Sequence, residues 1–327
     1  MQLHGHGAEG KTRPEQRQVT LCSDGAVSSA HGEGEMAAAQ GPAGPRRRLG
    51  AELRRLRSKA GMHLEDVARQ LDCSTSKISR LETGKGVPKL PDVRELMRIY
   101  GVTADTERDM LLRLVKDSRA QGWWEPYTEG VQPARHVLES PGRYAALETE
   151  AVANRSFTAM VLPGLLQTAA YAEVLLSAIL PHHPERDIGS LVELRMRRQQ
   201  ALYRAERPLE LSVVIDEALL CRVVGGPELM TAQLRAIAEK ADMANVEVRV
   251  LPFEGGVHRA HVGQFTILEL PKPLGDVVYI ESHAGDTYLD SDDDIKLYKE
   301  VFADVAARAL PPPETKIMIA EYLRRYT

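Results

Sequence analysis

From Arg46 onward the apolar residues fall into several helical stripes, each too short to be stable unless it packs against the next. Leu49, Leu53, Leu56 and Ala60 recur at offsets of 0, 4, 7 and 11, one stripe on an otherwise arginine-rich helix. Gly61 ends that helix, as a glycine just past a C-terminus does. Leu64, Val67, Ala68 and Leu71 follow at 0, 3, 4 and 7, a second and shorter helix. After Asp72-Cys73, Ser74 is a natural N-cap for a third helix carrying Ile78 and Leu81, which stops at Gly84. Pro91-Asp92 open a fourth, with Val93, Leu96, Met97 and Tyr100 on one face. A fifth after Gly101 turns Leu111, Leu114 and Val115 inward. The expectation is an all-α five-helix unit over residues 46–119.

The second and third stripes are so close that their helices must cross steeply. The first of the pair then needs a small residue at the crossing, and Ala68 supplies it. The turn needs a residue that tolerates positive φ, and Asp72 stands where glycine is usual. With Ile78 and Leu81 facing inward, Thr75, Ser76, Lys77, Ser79 and Arg80 are left on the outer face. Short polar and basic side chains on an exposed helix N-terminus are what a DNA major groove accepts, although a solvated basic hairpin has the same pattern. Charge favours the first reading. Between Arg46 and Tyr100 there are 14 Lys and Arg against 7 Asp and Glu, while the rest of the chain carries 28 against 39. The formal net charge of −4 hides a basic segment attached to an acidic body.

Residues 1–45 are rich in Gly, Ala, Ser and Gln, close on GPAGP, and read as a disordered extension. Met36, ten residues before the first strong helix, is a candidate start. Beyond Gln121-Gly122, Trp123-Trp124 introduce an irregular stretch through Pro141. Strand patterns then occupy 156–161, 209–215, 246–252, 264–270 and 277–281, and helical patterns 164–180, 188–205, 227–243, 292–310 and 313–326. Residues 120–327 are therefore expected to form a mixed α/β (α+β) domain. The three cysteines, Cys22, Cys73 and Cys221, lie far apart and support neither a zinc cluster nor a disulfide framework. No apolar run reaches the ~18–20 residues of a membrane span, and the opening residues lack a signal-peptide core. A cytoplasmic protein with no membrane partner is expected.

From Leu49 to Gly84 the chain resembles the phage-repressor-like, XRE-type DNA-binding domains. The likeness rests on R-x₃-G before the second helix, the run from Ser74 through Ile78-Ser79, Leu81-Glu82 and Gly84, and the Pro-led fourth helix. It departs at Asp72, where glycine is usual, and at His63, where a threonine cap is commoner. The resemblance implies base reading by Thr75, Ser76 and Arg80, with Ser79 beside them. It implies phosphate contacts by Lys77, Lys85 and the amides at the Ser74 cap, and an Arg57–Glu82 ion pair. Its partner would be double-stranded DNA carrying an inverted-repeat operator, bound by a homodimer. The flanking Arg46-Arg47-Arg48 could reach phosphate or a minor groove.

A second set of strings occurs in one order: Trp123-Trp124, Leu162–Thr168 with Tyr171-Ala172, Arg195–Gln199, Asp216-Glu217-Ala218, Gly225-Gly226-Pro227, Leu251-Pro252-Phe253 and Tyr288-Leu289. Together they resemble the domain that follows such modules in actinobacterial regulators of the WhiJ-like, antitoxin-like group. That likeness implies a sensor of a ligand or of a small partner protein encoded nearby. An enzyme tethered to DNA is the remaining alternative, and its candidates are few. Asp216 and Glu217 read better as caps of a helix over 218–224 than as an acid–base pair. His258 and His261 lack an identifiable third metal ligand. Asp290–Asp294 lacks the Gly and Glu of a calcium loop and reads as an acidic helix start. No phosphate-binding glycine pattern is present, so no catalytic residue, metal or cofactor is expected.

Overall fold

The computed structural model describes residues 43–119, 122–131, 141–272, 274–283 and 285–327. The extension expected over 1–45, with Met36, lies outside them except for its last three residues, which open the first helix. That helix, α1, runs Ala43–Lys59, and α2 (Leu64–Gln70), α3 (Thr75–Glu82), α4 (Leu90–Ile99) and α5 (Asp105–Asp117) follow. Their apolar stripes meet in one core, with Leu49, Leu53, Val67, Ile78, Val93, Leu96 and Leu111 all but inaccessible. Gly61, Gly84 and Gly101 take positive φ where α1, α3 and α4 end. At Gly84 a Cβ would also come within 2.7 Å of Arg47, so α1 and the end of α3 approach too closely for any side chain there.

The stretch after Gly122 is more regular than its sequence suggests. Glu125–Thr128 forms a single turn, α6, and Pro141–Glu150 a full helix, α7. Trp124 is buried against Ala145 and Ala146 of α7, while the Trp123 indole Nε1 donates to Thr149 Oγ1 at 3.0 Å. Pro141 is therefore a helix start, a position where its missing N–H is no loss.

Six strands build one mixed sheet: β1 (Ala153–Thr158), β2 (Glu210–Asp216), β3 (Val246–Leu251), β4 (Phe265–Glu269), β5 (Val277–Ile280) and β6 (Thr287–Leu289), in the order β3-β2-β1-β4-β5-β6. β1, β2 and β3 are parallel; β4, β5 and β6 continue from β1 as an antiparallel meander. The parallel strands are linked through α8 (Ala169–Ile179), α9 (Glu185–Arg198), the short α10 (Ala218–Cys221) and α11 (Pro227–Lys240). One face packs Leu211, Val213, Val248 and Val250 beneath Leu234 and Ile237 of α11 and, from α13 (Pro312–Tyr326), Ile319. The other packs Phe157, Val214, Ile267 and Val278 beneath Phe302 and Val305 of α12 (Asp292–Arg308). Helices thus cover both faces of one sheet.

The string Leu162–Thr168 becomes a 3-10 turn over Gly164–Leu166 that three glutamines brace. Gln167 Nε2 donates to Leu162 O, Gln199 Nε2 to Gly164 O and Gln167 O, and Gln233 Nε2 to Leu166 O, at 2.6–2.8 Å. The motif is thereby accounted for as backbone that would otherwise be buried unpaired. The expected capping by Asp216 and Glu217 is half corrected. Asp216 Oδ1 accepts from Ala218 N at 2.9 Å, but α10 stops at Cys221. Glu217 reaches away from the helix, accepting from Phe253 N at 2.8 Å and Tyr322 OH at 2.7 Å. The Asp290–Asp294 run does open α12, with Ser291 Oγ accepting from Asp294 N.

Candidate nucleic-acid interface

The α2–α3 pair is set by local chemistry. Asp66 Oδ2 accepts from His63 N at 3.0 Å and fixes the start of α2. Cys73 N donates to Ala68 O at 2.9 Å, and Asp72 then turns the chain with φ of 48°. Aspartate is among the few non-glycine residues that adopt this conformation readily. Ser74 next caps α3, its Oγ accepting from Lys77 N at 3.2 Å. The cap leaves the first amides of α3 and the positive end of its dipole facing outward.

With Ile78 and Leu81 buried, α3 turns Thr75, Ser76 and Arg80 fully outward and leaves Ser79 half-exposed. The Arg80 guanidinium has no ion-pair partner among the described residues. Thr75, Ser76, Ser79 and Arg80 line a shallow concavity of about 360 Å³ whose far wall is Leu64 and Glu65 of α2. Glu65 was not singled out by sequence, since it reads there only as an acidic residue in a helix's first turn.

The other expected contacts are placed differently. Lys77 is half-buried, its Nζ 2.8 Å from Asp92 Oδ2 at the start of α4. Lys85 is exposed, and its Nζ lies 3.7 Å from Asp290 Oδ2, beyond the end of β6. The arginine triplet, expected to be free for phosphate, is turned onto the protein. Arg46 Nε donates to Ser118 O at 2.8 Å, Arg47 Nη2 to Leu274 O at 3.1 Å, and Arg48 Nη2 to the Glu150 carboxylate at 3.2 Å. The reason is non-local: α1 runs alongside α7 and the β4–β5 turn, which the sequence does not announce.

Arg57 and Glu82 do meet, through Nε–Oε1 and Nη2–Oε2 contacts of 2.7 and 2.9 Å, and Arg57 Nη1 also donates to Met62 O at 2.9 Å. The bidentate bond to Glu82 holds the guanidinium pKa above its ordinary value despite burial. The pair ties the last turn of α3 to α1, and so fixes the angle at which α3 is presented. Among the described residues no cluster of three potential metal ligands occurs, and no helix is long and apolar enough to cross a membrane. His258 packs edge-on to Phe157, with ring centroids 5.1 Å apart.

A capped second helix that crosses a short first helix, with Arg80 outward, is the arrangement of a helix-turn-helix. The sequence matches the family described as Helix-turn-helix domain over residues 48–111. It also matches a Domain of unknown function (DUF5753) over residues 141–321, more than half of the chain, and the chain belongs to that family. No curated protein matches it, and no solved structure does.

Proposed function

We propose that this protein is a sequence-specific transcriptional regulator, built from a phage-repressor-like unit near residues 46–119 and a non-catalytic sensor domain beyond it. In this reading α3 enters the major groove of operator DNA, where Thr75, Ser76 and Arg80 meet base edges and Ser79 lies beside them. The Ser74 cap presents amides to a phosphate, and Lys77 and Lys85 neutralise others once they leave Asp92 and Asp290. The observation that carries the reading is Arg80, exposed on the outer face of a capped helix with no ion-pair partner among the described residues. One such unit buries too little surface for tight binding, so a homodimer on an inverted repeat is expected in the cytoplasm, on the nucleoid.

The test is a footprint of the purified chain on the promoter next to its own gene. Two protected half-sites centred about 34 Å apart, or a multiple of that, are expected. Absence of sequence-dependent protection would overturn the regulator reading, and a monomer in sedimentation, free and bound, would overturn the dimer.

A second reading, an antitoxin-like binder of a small partner protein that autoregulates its operon, is favoured by one surface. Met160, Val223, Phe253, Val257 and Val262 are exposed, and all follow the C-terminal ends of β1, β2 and β3. Apolar side chains gathered at one sheet edge suit a protein partner. Co-purification of a neighbour-encoded protein that is lost on Phe253→Ser with Val257→Ser would favour this reading.

A further inference from the structure

Past its crossing with α7, the basic α1–α5 unit faces the acidic body across an open cleft of about 570 Å³. Arg47, Arg54 and Arg55 of α1 stand on one wall, and Asp276, Asp290 and Asp292 of the body on the other. The apolar cores of the two parts form separate clusters. What spans the gap is polar. Arg47 Nη2 donates to Leu274 O and Gly275 O at 3.1 and 3.4 Å, Arg48 Nη2 to Glu150 at 3.2 Å, and Lys85 Nζ lies 3.7 Å from Asp290 Oδ2. Interfaces of this kind within one chain hold weakly, and motion across them is the default expectation.

The three contacts are unequal. Arg47 is partly desolvated, which lowers its pKa while Asp290 opposes, and the Glu150 that holds Arg48 is 5% exposed. The Lys85–Asp290 pair is open to water on both sides, at 44% and 39% exposure, and its atoms stand beyond hydrogen-bond distance. An exposed pair of this length adds little to the fold, so a phosphate oxygen can displace the Asp290 carboxylate readily. Lys85 is also the cation that the proposed reading gives to a DNA phosphate. Asp290 for its part is held in place by the body. It directly follows β6, whose Leu289 pairs with Val278 of β5, and the Tyr288 ring lies 3.7 Å beneath Arg143 of α7.

We propose that Asp290 is an autoinhibitory latch, a carboxylate that occupies Lys85 in the unbound chain as a stand-in for a DNA phosphate. Lys85 cannot serve both anions, so the pair must break when α3 docks, and its strength is subtracted from DNA affinity. Asp292, on the same wall of the cleft, places a second carboxylate near the same cations. β6 is an edge strand of three residues, paired only with β5. A signal that shifts this strand moves Asp290 relative to Lys85, and changes DNA affinity by as much as the latch differs between the two states. The inference rests on the regulator reading and deepens it by giving the C-terminal domain a named contact through which to act.

Equilibrium binding of the full chain to a promoter duplex and to a scrambled duplex, at one fixed salt concentration, tests it. Asp290→Asn is expected to tighten binding about two- to fivefold, the contribution of an exposed pair. Asp290→Lys, which sets like charges opposite each other, is expected to tighten it further. Both duplexes should gain alike, because a phosphate contact carries no sequence. In a Lys85→Ala background the gain from either substitution is expected to vanish. Asp293→Asn and Asp293→Lys, exposed in the same helical turn but outside the cleft lining, measure the general effect of charge and should give less. Unchanged or weaker binding by Asp290→Asn overturns the proposal. So does a gain that survives in Lys85→Ala or is matched by the Asp293 variants. If the gains appear on both duplexes but the promoter is bound no better than the scrambled one, the latch stands and the sequence-specific reading falls instead.

Discussion

The Arg57–Glu82 pair allows the interaction that orients α3 to be weighed directly. Their side chains are 14% and 5% exposed, and Glu82 supplies both acceptors of a fork whose third contact is the Met62 carbonyl. Glu82→Ala leaves a guanidinium facing one neutral oxygen in a mostly dry site. Breaking a buried pair from one side costs about 3–5 kcal/mol. The remaining Met62 bond and the partial exposure of Arg57 place this case near ~3 kcal/mol. At ~1.4 kcal/mol per decade, slowly exchanging α3 amides should exchange about a hundredfold faster, a readout that follows local opening without requiring the whole chain to unfold at once. The double variant Arg57→Met with Glu82→Leu exchanges two charges for apolar volume and is expected to recover to within ~1 kcal/mol of the native chain. If the double variant loses as much stability as Glu82→Ala or more, the pair is not acting as a charge-compensated unit and the reasoning fails.

Two further perturbations concern the charged side chains around α3 and α1. Asp92→Asn removes the carboxylate 2.8 Å from Lys77 Nζ; it should raise DNA affinity while leaving the salt slope as in the native chain, because Lys77 neutralises the same phosphate in both complexes, read from filter binding across a salt series. Unchanged affinity would place Lys77 away from phosphate. Burial raises the Glu150 pKa, with Arg48 and Arg204 opposing. A carboxyl whose folded pKa is raised contributes stability that is complete below its unfolded pKa and lost as pH rises through the folded value. Urea midpoints should therefore fall for the native chain relative to Glu150→Gln as pH rises above the ordinary carboxylate range, and parallel midpoints would contradict this.

What could be read from sequence and what could not divides along contact distance. The Ser74 cap, the positive φ at Asp72 and the inward Ile78 and Leu81 are decided within a few residues, and they appear where the sequence placed them. Helix α7 was missed because Pro141-Gly142 reads as a breaker and its buried residues, two alanines and two glutamates beside Leu147, give little periodic apolar signal. Strand β1 lies three residues earlier than its apolar pattern, since Asn154 and Ser156 are polar yet covered. Three-residue β6 is too short for any alternation to register. The partners of Lys77, Lys85 and the Arg46–Arg48 triplet sit on other elements, so only the fold reveals that these cations are engaged. Within the candidate interface, the exposed face of α3 was legible; the Glu65 wall and the Asp92 tether were not.

The central claim is that Arg80 reads sequence while Lys77 only neutralises charge. It is tested most directly by salt titrations of Arg80→Ala and Lys77→Ala on cognate and scrambled duplexes. Arg80→Ala should cost ~1–3 kcal/mol on the cognate site and relax preference at one base pair per half-site, with little change on scrambled DNA. Lys77→Ala should weaken both duplexes alike and lower the salt slope by about one for each phosphate it no longer neutralises. If Arg80→Ala weakens cognate and scrambled duplexes equally, the guanidinium meets phosphate and α3 does not read bases through it.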